Sequence, residues 1–138
     1  MKSGMLLFVV FFVSCKINQT KNGLPVGRWK YSTTSKTERS VIKAKYDANG
    51  KEKGVWKYYS NDTLTRLEKY YYPYSVDVLY HKNGKISEIG KSFTTKNSWT
   101  KVGTWFLFNE NEQLIDSITF ETQEAVQKGQ SFFYAANF

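Results

Sequence analysis

Tyr80-His81-Lys82-Asn83-Gly84-Lys85-Ile86 sets an Asn-Gly pair between an aromatic and an aliphatic residue. Asn-Gly tolerates positive φ at both central positions of a type I′ turn, whose twist suits a two-residue β-hairpin. The aromatic before the turn and the aliphatic after it can then pair across strands on one face. The spacing returns as Phe108-Asn109-Glu110-Asn111-Glu112-Gln113-Leu114 and as Tyr58-Tyr59-Ser60-Asn61-Asp62-Thr63-Leu64. Tyr46-Asp47-Ala48-Asn49-Gly50-Lys51-Glu52 matches except at its last position. A second unit, Gly-x-Trp, occurs as Gly27-Arg28-Trp29, Gly54-Val55-Trp56 and Gly103-Thr104-Trp105. A glycine there either leaves room for a large ring from a neighbouring strand or marks a bulge.

Strand periodicity supports the hairpins. Ile42, Ala44 and Tyr46 fall on one face, as do Val76, Val78 and Tyr80, and Leu114, Ile118 and Phe120. Aromatic residues make up 17% of the chain, which favours strands over helices. The fold expected is all-β: an antiparallel meander of about eight or nine short strands in a single twisted sheet. The strands are placed near 26–33, 40–46, 54–59, 64–72, 75–80, 85–93, 103–108, 113–120 and 131–137. Residues 121–128 read as a short helix stopped by Gly129.

These units resemble the MORN-repeat variant family, whose members carry tandem Gly-x-Trp, Tyr-Tyr and Asn-Gly-Lys elements. The resemblance covers roughly Gly27 to Phe120. It implies hairpin repeats and a binding or scaffolding role. Many members are bacterial lipoproteins, and some are described as antitoxin components. The family brings no catalytic residues.

The amino end carries a separate signal. Lys2 precedes the apolar run Met5 to Val13, and Ser14 precedes Cys15, the single cysteine. A charged start, a short apolar core and a small residue describe a secretory signal peptide. The run is shorter than the roughly 20 apolar residues a spanning helix needs. Phe12-Val13-Ser14-Cys15 resembles the lipobox of bacterial lipoproteins. That resemblance implies a lipidated Cys15 heading the mature chain, and Lys16 after it implies the outer membrane of a Gram-negative envelope. A secretory signal without lipid is the alternative. The expected organisation is a signal at 1–14, a lipidated cysteine and polar tether at 15–25, and the β domain at 26–138.

Charge narrows the partners. Lys and Arg exceed Asp and Glu by eight, and the excess lies in the front two-thirds. A basic, aromatic-rich domain can suggest nucleic acid, but an export signal argues against that partner. Anionic lipid headgroups or lipopolysaccharide fit an exported protein better. Lys69-Tyr70-Tyr71-Tyr72-Pro73-Tyr74 is the most unusual local composition. Lys69, Tyr70, Tyr71, Tyr72 and Tyr74 form either a platform for a glycan or partner, or a set split between core and cross-strand pairs.

Catalytic patterns are thin. Ser75, Asp77 and His81 look like a triad, but Asp77 and His81 sit roughly 13 Å apart along a strand. His81 reads instead as an exposed residue beside a turn. Histidine or cysteine pairs for a metal are lacking, and Asp47-Ala48-Asn49-Gly50 reads as a turn rather than a calcium loop. No cofactor and no enzymatic activity are expected. The function expected is that of an envelope-anchored lipoprotein with a binding or scaffolding sheet. A glycan- or lipopolysaccharide-binding module is the alternative.

Overall fold

The computed structural model describes residues 16–94 and 99–121. Among these residues nine strands form one antiparallel sheet in sequential order. They are β1 (Gln19–Lys21), β2 (Leu24–Thr34), β3 (Arg39–Tyr46), β4 (Gly54–Ser60) and β5 (Thr63–Tyr71), then β6 (Tyr74–Tyr80), β7 (Ile86–Thr94), β8 (Trp99–Phe108) and β9 (Leu114–Phe120). The all-β meander read from the sequence is therefore the fold. Cys15, the signal segment, the helix expected at 121–128 (save Glu121, just past β9) and the strand expected at 131–137 lie outside the described residues.

Two of the three aromatic–aliphatic pairs form as expected: Tyr80 faces Ile86 and Phe108 faces Leu114. In the third copy the two-residue turn and a register shift put Tyr59, not Tyr58, opposite Leu64, and Tyr46 bridges to Glu52. The turns beneath them differ from expectation. At Asn49-Gly50 and Asn83-Gly84 only the glycine has positive φ. Gly50 N–H donates to Asp47 O and Gly84 N–H to His81 O, closing type I turns with a left-handed residue at the end. Side chains select this form. Asp47 Oδ1 accepts from Asn49 and Lys51 N–H, and Asn109 Oδ1 accepts from Asn111 and Gln113 N–H. Glu112, at φ 61°, takes the place that glycine holds in the other two turns. Two-residue loops with both φ positive do occur, at Asn61-Asp62 and at Asn22-Gly23.

The second of these turns corrects the expected tether. Within residues 16–25, β1 pairs with the start of β2, and Asn18 holds the backbone of Lys30. The sheet thus begins within a few residues of Cys15.

The three Gly-x-Trp copies share one construction. Gly27, Gly54 and Gly103 have φ of 72°, 68° and 63°. Two residues on, each indole N–H donates to a carbonyl on the preceding strand: Trp29 to Gln19 (2.9 Å), Trp56 to Lys45 (3.0 Å) and Trp105 to Lys91 (2.8 Å). The turned peptide interrupts the ladder, and the indole replaces the missing donor. These glycines are bulge residues. Room for a ring is the task of Gly90, over which the Trp105 indole lies.

Cross-strand register gives the sheet two unlike faces. Trp29, Tyr46, Trp56, Glu68, Asp77, Ser92 and Trp105 share one, here the tryptophan face. Arg28, Lys30, Lys43, Lys45, Lys57, Lys69 and Lys91 share the other, the lysine face. A register shift at Leu107/Phe108 puts Leu114 opposite Phe108, so it leaves the face of Ile118 and Phe120 that the simple alternation assigned to it.

Candidate functional site

The tryptophan face solves a packing problem that one sheet alone poses. Its central strands carry small residues there: Ser75 and Asp77 on β6, Gly90 and Ser92 on β7. Longer side chains from both flanks lean over them, Arg66 and Tyr58 from one side and Trp99 from the other. The Arg66 guanidinium lies 3.8 Å from the Tyr58 ring centre and 4.8 Å from that of Trp99. Beneath this cover Glu68, Ser75, Asp77 and Ser92 are fully buried.

Glu68 Oε2 accepts from Tyr58 Oη at 2.5 Å and from Arg66 at 3.2 Å, and Oε1 accepts from Ser75 Oγ at 2.9 Å. Ser92 Oγ lies 2.5 Å from Asp77 Oδ2 and 2.6 Å from Ser75 Oγ. With Asp77 ionised, Ser92 donates to Asp77 and Ser75 to Glu68, leaving no proton for the short Ser75–Ser92 contact. A proton on Asp77 completes the chain of donors. Burial pushes the Asp77 carboxyl up from its usual range and the Glu68 charge adds to it, while the serine hydrogen bonds act the other way. Burial also raises the Tyr46, Tyr58 and Tyr70 phenols.

This cluster contains two members of the triad-like set. Ser75 and Asp77 are hydrogen-bonded at 3.1 Å. His81 does not join them: its Nε2 is 2.9 Å from the Phe108 carbonyl oxygen, so it is half-buried and bonded rather than exposed. A hydroxyl enclosed on all sides does not meet a substrate, so the arrangement is an interior clamp. Among the described residues no group of His, Cys, Asp and Glu could hold a metal ion, and no helix is long and apolar enough to cross a membrane.

The lysine face has the opposite character. Lys30, Lys43 and Lys57 stand directly opposite one another across β2, β3 and β4, and Arg28 stands opposite Lys45. Lys69 and Lys91 flank Val76 across β5, β6 and β7. The strand carboxylates from β2 to β7, Glu68, Asp77 and Glu88, all point to the tryptophan face, where Arg66 and Lys101 pair with Glu68 and Glu88. Like charges placed opposite each other destabilise a sheet. This face therefore gathers like charge without strand carboxylates to offset it.

The tyrosine cluster is divided between these surfaces. Tyr70 enters the tryptophan face and packs 5.0 Å from Trp56. Tyr71, 57% exposed, lies on the lysine face under the Lys69 ammonium. Tyr74 pairs with Tyr71 and with Phe93, the Tyr74 and Phe93 rings 5.3 Å apart. Tyr72, 53% exposed, is in the turn beside Lys51, preceding a cis bond to Pro73. Sequence reasoning missed Arg66, Glu68 and Ser92 as partners. Placing the turn at Tyr72-Pro73 would have found Glu68 opposite Asp77, because the register follows from the loop.

Compared with protein-family models, with curated proteins and with solved structures, the chain gives no significant match.

Proposed function

We propose that this chain is an envelope-anchored lipoprotein of a Gram-negative cell, whose sheet is a non-catalytic binding or scaffolding surface in the manner of MORN-like repeats. The lysine face carries the reading. Lys30, Lys43 and Lys57 are exposed and face one another without intervening carboxylates, and Lys69 lies over the exposed ring of Tyr71. Such a surface recruits an anionic partner, because the summed field attracts it and the aromatic and aliphatic area between the charges adds contact. The amino-terminal sequence supports anchoring through Cys15. A multiply acylated cysteine would give stable attachment, and the start of β1 at Gln19 would keep the sheet close to that membrane.

Metabolic labelling of cells with an alkyne fatty acid tests the anchor. Label should enter the membrane-bound chain and vanish in Cys15→Ala. Unlabelled protein in the soluble interior with its initiator methionine would refute it. Photo-crosslinking from position 57 tests the surface: envelope partners should be captured there and not from position 82 in the β6–β7 turn.

A further inference from the structure

We propose that the lysine face across β5 to β7 is a track for a linear anionic polysaccharide carrying one negative charge per disaccharide. This deepens the binding-surface reading and rests on it. Lys69 and Lys91 sit at one level on β5 and β7, with Val76 of β6 between them. Alternate strands are about 10 Å apart, roughly the length of one disaccharide of an extended β-linked glycan. Lys69 and Lys91 are thus set at the interval at which such a chain would present successive carboxylates.

The next level along the strands supplies the second element. Tyr71, Tyr74 and Phe93 form a row across β5, β6 and β7, two residues beyond Lys69 and Lys91. Two residues of strand cover about 7 Å, which is the width of a sugar ring beside the chain of charges. The C–H faces of pyranose rings lie well on aromatic rings. Aromatic residues flank the lysine line on this side, while aliphatic Leu67, Val78 and Ile89 flank it on the other. That asymmetry gives the track a direction, which an anionic bilayer would not need.

The probe is a fluorescent hyaluronan decasaccharide, whose uronates recur once per disaccharide, titrated against the full chain in neutral detergent. Uncharged chito-oligosaccharide of equal length and phosphatidylglycerol nanodiscs are the comparisons. The decasaccharide should bind. Lys69→Gln/Lys91→Gln should weaken it about tenfold, the loss of two exposed charge contacts. Tyr71→Ala should weaken it with unchanged thermal stability, and Lys30→Gln/Lys57→Gln should have less effect than the first pair. Three results overturn the proposal: equal binding of the uncharged sugar, equal loss from either lysine pair, or binding of nanodiscs without binding of the decasaccharide. Should these occur while position 57 still crosslinks an envelope protein, the binding-surface reading stands and the glycan is lost.

Discussion

Gly90→Ala tests the packing of the tryptophan face at one atom. A Cβ at this position would stand 2.2, 2.4 and 2.4 Å from three ring atoms of Trp105, and ordinary contact begins near 3.4 Å. The indole must retreat by about 1.2 Å, the difference between 3.4 and 2.2 Å. Trp105 is 0% exposed and its N–H donates to Lys91 O at 2.8 Å. A retreat of that size stretches the bond past useful length. Overpacking costs about 1–3 kcal/mol, and a buried donor left unpaired about 1–3 kcal/mol. Alanine returns about 0.4–1 kcal/mol through the unfolded chain. The net expectation is a loss of about 3 kcal/mol, read as a fall of roughly 10 °C in Tm. Differential scanning calorimetry measures it, and Trp105→Phe in the same chain should recover about 1 kcal/mol or more of the loss by coupling. A Tm within about 2 °C of the parent would refute the close-packed account of this face.

Three further outcomes follow from the same structure. Asp77 has a raised folded-state pKa, so its favourable contribution is complete below the unfolded value near 3.9 and is lost as pH rises through the folded one. Asp77→Asn should flatten that decline in urea midpoints measured from mildly acid to neutral pH; Glu68, Arg66, Ser75 and Ser92 face the same group, and an unchanged slope would count against a protonated Asp77. Glu68→Gln removes the charge that Arg66 and the Tyr58 hydroxyl address, and should destabilise by about 3 kcal/mol in chemical denaturation. Glu112→Gly should stabilise by about 1 kcal/mol, because position 112 is left-handed at φ 61° and exposed.

How far the sequence was readable can be seen residue by residue. Strand ends were legible where turn chemistry was strong, as at Asn83-Gly84 and Asn109–Gln113, although the turn type was not. The turns that begin at Asp47 and Asn109 keep a type I form because those side chains cap neighbouring N–H groups, a local bond that competes with the primed turn. Asn22-Gly23 carried the same signal and was absorbed into a tether, so β1 was overlooked. Tyr70 to Tyr74 looked like one patch, yet alternation and a two-residue turn send Tyr70 to one face and Tyr71 and Tyr74 to the other. The segregation of lysines from carboxylates is present in the strand parity. It becomes visible only when eight strands are aligned in register, which shifts at Tyr58/Tyr59, Ile89/Lys91 and Leu107/Phe108 make hard to count by hand.

The proposed binding surface requires that one face of this sheet be covered in the cell by a partner of opposite charge. Lysine acylation footprinting with mass spectrometry, on intact cells and on the purified full chain, tests it without naming that partner. Lys45, Lys69 and Lys91 should react fully in the purified protein and be shielded in cells, while the hairpin-loop lysines Lys51 and Lys82 react equally in both. Equal reactivity of all five residues in the two settings would refute such a covering.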